Sequence, residues 1–171
     1  MENKDETLKK LVSGEPEAEN EALREIRENG DLSLVPALFD LLDSHRDHHS
    51  ASLLISLLAD IKENAFKDLV IDRIRSTTDI ACKVNLIRIG WESSLDYSAY
   101  LDLFTEIILN EDFTVGFEAC SLIEEMRHIP SLQVEQTLCK LKSIRAGEEK
   151  QPLIDIVLKV LADKAEEQQA D

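Results

Sequence analysis

Three aspartates recur at nearly equal spacing along the chain, and each is followed by the same arrangement of apolar residues. Asp47, Asp79 and Asp112 lie 32 and 33 residues apart. Apolar residues stand seven, eight and ten positions after each of them: Leu54, Ile55 and Leu57, then Leu86, Ile87 and Ile89, then Ala119, Cys120 and Leu122. This spacing indicates one buried helix face, and an aspartate just before a helix accepts hydrogen bonds from its first unpaired amides. The pattern therefore predicts three equivalent helices, each started by an aspartate.

Helical periodicity extends over most of the chain, and strand-like alternation is not sustained anywhere. The predicted helices cover residues 7–12, 16–29, 32–42, 48–63, 66–74, 80–91, 97–109, 113–128, 132–144 and 153–165. The residues predicted to face inward in the early helices are Ala22, Leu23 and Ile26, then Val35, Leu38, Phe39 and Leu42. Only five glycines and 5% aromatic residues occur, which also favours helix over sheet. We therefore predict an all-α fold of helix pairs that repeat at a fixed period, which is typical of an α-solenoid.

Two segments carry a specific likeness to a known repeat family. Residues 30–42, GDLSLVPALFDLL, resemble the first helix of a HEAT repeat with its preceding turn and early proline. Residues 112–123, DFTVGFEACSLI, resemble the second helix, and residues 79–90 are a looser copy of it. The chain thus resembles the HEAT-repeat family from Glu21 to Arg127. This resemblance implies a right-handed α-solenoid of about four helix pairs with an N-terminal helical cap.

The resemblance weakens toward both termini. The opening helix is short, and the last pair has RAGEE at residues 145–149 where the others have an aspartate. Terminal repeats of a solenoid are expected to differ because one of their faces meets solvent. We therefore expect a single domain over residues 1–171, with an N-terminal cap over 1–31, a repeat core over 32–130, a C-terminal capping pair over 131–165 and a frayed tail over 166–171.

The charge of the chain argues against a nucleic-acid partner. Acidic residues number 35 against 19 basic ones, for a formal net charge of −16, whereas binding to phosphates needs a field of lysines and arginines. A protein with a basic segment fits better. Nine of the acids lie between Arg88 and Arg127, where no lysine or arginine occurs, whereas residues 127–147 carry four basic residues against Glu135 alone.

The repeat pattern also places polar residues at equivalent positions of the second helices. Thirteen positions after the aspartates stand Asp60, Glu92 and Glu125, and nine positions after them stand Ser56, Arg88 and Ser121. The HEAT resemblance implies that second helices line the concave side of the solenoid, so these residues would face a binding groove. The predicted protein-binding site consists of Asp60, Arg88, Trp91, Glu92, Ser121 and Glu125. The alternative is that an acidic protein simply carries acids on its solvated faces.

Aromatic residues lie next to the predicted site. Trp91, Tyr97 and Tyr100 are candidate anchors because Trp and Tyr are enriched among interface hot spots. Packing between repeats is an equally good interpretation of a single tryptophan.

Three histidines within five positions, in SHRDHHSA over residues 44–51, raise the question of a metal site. The ligands would be His45, Asp47 and His49. However, Asp47 interrupts the helix between the two histidines, so their spacing does not place them on one helix face, as it does in common zinc sites. His48 and His49 would fall in a first helical turn, where the positive helix end keeps an imidazole neutral. We therefore predict a polar turn without a metal, and no cofactor.

No short catalytic or nucleotide-binding motif occurs in the sequence, so enzymatic activity has no positive support. We expect Cys82, Cys120 and Cys139 to be buried in apolar columns, and His128 to be a helix cap or a surface residue. The HEAT resemblance raises the alternative of an enzyme on this scaffold. HEAT-like DNA glycosylases have a basic groove with aromatics and a catalytic acid, and HEAT-like lyases act on bilin chromophores.

A last alternative is a structural homo-oligomer that uses the helix over Leu153–Leu161, which is apolar nearly all round. The amino terminus has no apolar signal segment, and the most apolar run, residues 53–59, is too short to cross a bilayer. We therefore expect a cytoplasmic protein with no membrane partner.

Overall fold

The structure is a computed structural model that describes residues 4–45 and 47–170, and within this range the chain is helical with no strand. The α-helices are α1 Lys4–Leu11, α2 Pro16–Asn29, α3 Val35–Ser44, α4 His48–Ala59, α5 Ala65–Ser76, α6 Ile80–Glu92, α7 Leu101–Asn110, α8 Phe113–Glu125, α9 Ser131–Ser143 and α10 Gln151–Ala170. Short 3₁₀ turns at Leu32–Leu34 and Ser98–Tyr100 precede α3 and α7. The predicted all-α class is confirmed.

The chain divides into two compact units. The amino-terminal unit runs to Ser76 and includes Glu92–Ser94, and the carboxy-terminal unit consists of Thr77–Trp91 and the chain from Leu95 onward. The amino-terminal unit thus holds α1 to α5, and the carboxy-terminal unit holds most of α6 and all of α7 to α10.

The three recurring aspartates are N-caps, as predicted. Asp47 accepts a hydrogen bond from the Ser50 amide at 2.9 Å, Asp79 from the Cys82 amide at 2.9 Å, and Asp112 from the Thr114 amide at 2.8 Å. Each carboxylate satisfies an amide that has no partner inside its own helix. The same local interaction therefore starts α4, α6 and α8.

The core of the amino-terminal unit follows the predicted helix faces. Val35, Leu38, Phe39 and Leu42 of α3 are all buried. In α2, Ala22 and Ile26 are buried as predicted, whereas Leu23 is only half-buried. The Phe39 ring lies 6.3 Å from that of Phe66 on α5, measured between centroids.

In the carboxy-terminal unit, α10 packs against α7, α8 and α9. Its buried residues are Leu153, Ile154, Val157 and Leu161. Ile156 is 38% exposed, and Leu158 and Val160 are half-buried. The helix is therefore not apolar and enclosed all round, because the side that faces away from its three neighbours remains open to solvent.

Several helix ends differ from the prediction. α4 ends at Ala59 rather than Glu63. The Asp60 amide still donates to the Ser56 carbonyl, but the next amide, of Ile61, donates to Leu58 only three residues back, which closes the last turn. α8 ends at Glu125 rather than near His128, because Met126 is extended. α7 begins only at Leu101, after the 3₁₀ turn, rather than at Tyr97.

α10 continues to Ala170, five residues beyond the predicted end. The Lys164 ammonium donates to the carbonyls of Glu124 and Met126, and the Gln168 amide donates to the Ile129 carbonyl at 2.7 Å. These contacts hold the last turns of α10 against a segment nearly 40 residues earlier, which local sequence could not reveal. Asp171, the last residue of the predicted frayed tail, lies outside the described residues, as does Arg46 in the histidine-rich turn.

None of the helices in the described range combines the length and the apolar character needed to cross a bilayer.

Candidate functional site

The helix α8 carries an unusual set of exposed side chains. Its buried side is made by Val115, Ala119, Cys120, Leu122 and Ile123. The opposite side begins with two phenylalanines one turn apart, Phe113 at 39% and Phe117 at 49% exposure. It ends with Glu124 and Glu125, which are both exposed. Apolar and acidic side chains therefore share one helix face but occupy different ends of it.

Three contacts join α6 to α8 within the carboxy-terminal unit. Lys83 pairs with Glu111, just before α8, at 2.7 Å. Farther along, the Trp91 indole donates to the Glu118 carboxylate at 2.7 Å. Moving along α6 from Lys83 to Trp91 moves the contact along α8 from its start to its middle, so the two helices run in the same direction.

The third contact is a close approach at Gly90. A Cβ atom at Gly90 would lie 2.3 Å from the Leu122 side chain. The absence of a side chain at Gly90 therefore leaves room for the Leu122 side chain of α8.

The exposed side of α6 carries apolar residues at the positions equivalent to Phe113 and Phe117 of α8. Ile80, one position after its aspartate, is 51% exposed and is equivalent to Phe113. Val84, five positions after it, is half-buried and equivalent to Phe117. We call Ile80, Phe113 and Phe117 the apolar end. They make up three of the five large hydrophobic residues that are exposed in the described chain, the others being Leu132 and Ile156.

Glu124 and Glu125 form what we call the acidic end. In the described part of the chain, neither carboxylate takes part in an ion pair. The carbonyls of Glu124 and Met126 at the end of α8 accept hydrogen bonds from the Lys164 ammonium, which offsets their negative potential. A cleft of about 280 Å³ opens beside them and also contains Arg127, Lys164 and Glu167. The Lys164 ammonium is bound to backbone carbonyls, so it does not neutralise the two glutamates directly.

Four of the six predicted site residues lie on the parts of these two helices that belong to the carboxy-terminal unit. Arg88 and Trp91 are half-buried on α6, Ser121 is half-buried on α8, and Glu125 is exposed at its end. All four fall on the solvent side of the two helices. We call this surface, with its apolar and acidic ends, the α6–α8 face.

The other two predicted residues belong to the amino-terminal unit. Asp60 is exposed at the end of α4, where its carboxylate pairs with Arg27 at 2.7 Å. It also lies on the rim of a cavity of about 380 Å³ whose wall includes Leu38 and Leu57. Glu92, the last residue of α6, is exposed. The proposed row of Asp60, Glu92 and Glu125 stays a prediction.

The three candidate aromatic anchors, Trp91, Tyr97 and Tyr100, differ in how far their side chains are exposed. Tyr97 is only 2% exposed, and its ring centroid lies 6.3 Å from that of Tyr100, which is half-buried. Tyr97 therefore packs in the core and is not available as an anchor. Trp91 has an exposed part and a fixed hydrogen bond, so it remains a candidate.

The histidine-rich turn contains separate local contacts. His45 Nδ1 lies 3.1 Å from the Leu41 carbonyl, and the Asp47 carboxylate caps α4. His49 Nε2 lies 2.9 Å from the carboxylate of Glu19, a residue that is 4% exposed. Within the described residues, no group of three or more His, Cys, Asp or Glu side chains could hold a metal ion.

The expectation that the helix end keeps His49 neutral is wrong. A hydrogen bond with Glu19, and then the negative charge of that carboxylate, raises the pKa of His49 above its ordinary 6.5. The nearby carboxylate outweighs the repulsion of a single helix end, because it sits within direct contact distance.

The prediction that all three cysteines are buried is also wrong in part. Cys82 and Cys120 are buried, and burial raises the pKa of the Cys120 thiol to about 12. Cys139 is exposed. The reason is the angular position on α9, where Val134, Thr137 and Leu141 form the buried side and Cys139 falls opposite them.

Sequence reasoning missed a polar cluster around Asp96. This carboxylate accepts hydrogen bonds from the Ser98 and Arg127 amides and lies 2.7 Å from His128 Nδ1. Burial raises the pKa of Asp96, but the bonds from Ser98, His128 and Arg127 outweigh it and bring the pKa to about 2. The cluster ties the segment before α7 to the segment after α8, and His128 is a surface residue, as predicted.

The apolar end was also missed, although the sequence held a signal for it. Phe113 and Phe117 stand one and five positions after Asp112, where the first of the three equivalent helices has His48 and Ser52. Large aromatics at positions that are polar in another repeat indicate exposed hydrophobic surface.

No protein-family model, curated protein or solved structure matches the chain. The HEAT likeness therefore remains a resemblance.

Proposed function

We propose that the protein is a non-catalytic binding module whose α6–α8 face takes a segment of a partner protein that carries both basic and apolar residues. The observation that supports this proposal is the presence, on one helix face, of exposed phenylalanines and of two glutamates that form no ion pair with any residue the structure describes. Exposed apolar side chains that cluster mark interaction sites more often than scattered ones do.

The two ends of the face would contribute in different ways. Burial of Ile80, Phe113 and Phe117 against a partner would remove apolar area from water, at about 25 cal/mol per Å². Glu124 and Glu125, in a chain with a net charge of −16, would attract a basic segment and raise its association rate. Trp91, held by Glu118, would contribute a rigid aromatic edge.

We also propose that the helix pairs belong to a HEAT-like α-solenoid. Three aspartate caps at equal spacing support this, as does the common direction of α6 and α8. A cytoplasmic location stays a prediction. The enzymatic and homo-oligomeric alternatives remain hypotheses that small-angle scattering, activity screening and mass measurement would address.

The proposal can be tested with the chain's single tryptophan, Trp91, as the reporter. A short synthetic peptide of lysines and leucines is titrated into the protein while Trp91 fluorescence is followed. We expect saturable binding that weakens as salt rises from about 20 mM to about 500 mM, because screening shortens the reach of exposed charges.

A charge-reversal pair locates the binding. Glu124→Lys/Glu125→Lys should weaken the affinity for the peptide by at least about tenfold. The matched control is Glu148→Lys/Glu149→Lys, which reverses two adjacent exposed acids of the same unit and should change affinity little. Equal losses in the two double variants, or no binding by the native protein, would contradict the proposal.

A further inference from the structure

We infer that the partner segment is bipartite, with an apolar anchor at one end and a cluster of lysines or arginines at the other; this inference rests on the proposed function of the α6–α8 face.

The first step is the separation of the two ends along α8. Phe117 and Glu124 are seven residues apart, and Phe113 and Glu125 are twelve apart. At 1.5 Å per residue, the apolar and acidic ends therefore lie about 10 to 18 Å apart along the helix axis. A segment with leucines and lysines mixed evenly would place half of each against the wrong end.

The second step concerns the middle of the face. The Glu118 carboxylate is occupied by the Trp91 indole at 2.7 Å, and Ser121 is neutral. Arg88 stands at the position equivalent to Ser121 and brings a positive side chain to this part of the face. A cation of the partner therefore finds its best site at Glu124 and Glu125, and not halfway along α8.

The third step concerns the apolar end. Ile80 and Phe113 begin neighbouring helices that run in the same direction, and Phe117 follows one turn later. Phe113 and Phe117 therefore offer an exposed apolar pair to an aliphatic residue of a partner, and Ile80 adds apolar surface at the start of α6. A charged residue placed there would lose hydration without gaining an ion pair.

A second copy of this chain is the other occupant to consider. The helix α9 carries Leu132, which is 66% exposed, at its start and the exposed Lys140 and Lys142 near its end. This arrangement is itself bipartite. However, each copy has a net charge of −16, so two copies repel each other, whereas a basic segment of another protein is attracted. We therefore assign the face to a separate basic partner.

The experiment uses the full chain and two peptides of identical composition. In the segregated peptide all leucines stand at one end and all lysines at the other, and in the interspersed peptide they alternate. Trp91 fluorescence gives both affinities at the same salt concentration. We expect the segregated peptide to bind about tenfold more tightly. Equal affinities would overturn the bipartite inference but leave the proposed function in place, and absence of binding by both would overturn the proposed function as well.

Variants test which end of the face binds which end of the peptide. Phe117→Ser should remove most of the advantage of the segregated peptide. The control Leu132→Ser, which alters an even more exposed hydrophobic residue on α9, should leave that advantage unchanged. A nitroxide on the leucine end should broaden the amide signals of Phe113 and Phe117 more strongly than those of Glu124 and Glu125. The reverse broadening pattern would contradict the assignment.

Light scattering without peptide decides between the two occupants. A monomer at concentrations where the peptide binds is the expected result. A dimer that Lys140→Glu/Lys142→Glu dissociates would overturn the inference, because the face would then be filled by α9 of a second copy.

Discussion

The helices α4 and α8 begin in the same way but end differently. Both start from an aspartate cap, and both carry an acid thirteen positions later. In α4 that acid is Asp60, whose carboxylate pairs with Arg27 at 2.7 Å. In α8 it is Glu125, which has no ion pair among the described residues. The same position in the repeat therefore holds a neutralised charge in one unit and an available charge in the other.

The amino-terminal unit pairs its acids in other places too. Arg73 on α5 binds both Asp40 and Asp43, and Lys10 pairs with Glu21 at 3.1 Å. Near α8 a lysine, Lys83, is committed to Glu111. The shared aspartate spacing thus accounts for how α4 and α8 begin, whereas the proposed binding surface lies where α8 departs from α4.

The largest effect is expected in the core at another equivalent pair, ten positions after the aspartates. Leu122 is 1% exposed and packs onto Gly90, whereas Leu57 is 4% exposed and borders the cavity of about 380 Å³. Leu122→Ala should cost roughly 3 kcal/mol of unfolding free energy, because its tightly packed neighbours cannot fill the hole. Leu57→Ala should cost less, since its site already borders an opening. Urea unfolding measures both, and a larger loss for Leu57→Ala would break the comparison.

The next effect concerns the Asp96 cluster beyond the end of α8. Because the pKa of Asp96 falls from 3.8 to about 2 on folding, its contribution to stability is present above about pH 4 and is lost between pH 4 and pH 2. Asp96→Asn should cost about 1 kcal/mol at neutral pH, less than the whole pKa shift would give, because water screens the pair. The stability difference from the native protein should be much smaller at pH 2 than at pH 7.

The control for that series is Asp163→Asn, which removes an exposed carboxylate on α10. It should track the native protein at all pH values. If Asp96→Asn shows the same stability difference at pH 2 as at pH 7, the account of this cluster is incorrect.

The smallest effect belongs to the amino-terminal unit, at the pair of His49 and Glu19. Since Glu19 raises the pKa of His49 above 6.5, the stabilisation is complete below pH 6.5 and is lost as the pH rises through the folded-state pKa. The thermal stability of the native protein, measured as its Tm, should therefore fall slightly as the pH rises above 6.5. His49→Gln should flatten this slope, and the neighbouring His48→Gln should retain it. If the Tm of His49→Gln still falls with rising pH as in the native protein, the pH dependence does not come from the pair of His49 and Glu19.

The sequence was sufficient for the features that depend on neighbouring residues. The caps at Asp79 and Asp112 and the buried side of α3 follow from spacing along one helix, and the structure confirms them. The end of α10 was missed because Gln168 contacts Ile129, which is 39 residues away.

The candidate site was predicted in part for the same reason. The register of the repeats placed Arg88, Ser121 and Glu125 on related positions, and these lie on the α6–α8 face. It could not show that Arg27 neutralises Asp60, since that pair joins residues 33 apart on different helices. It also could not show the burial of Tyr97, which depends on packing within the carboxy-terminal unit.

The most direct test compares the two equivalent acids in one binding assay. The segregated peptide is titrated into Asp60→Lys and Glu125→Lys proteins, each first checked for native helix content by circular dichroism, with Trp91 fluorescence as the readout. Our account predicts that Glu125→Lys weakens binding by at least about fivefold and that Asp60→Lys changes it by less than about twofold. A loss for Asp60→Lys that equals or exceeds the loss for Glu125→Lys would contradict the account.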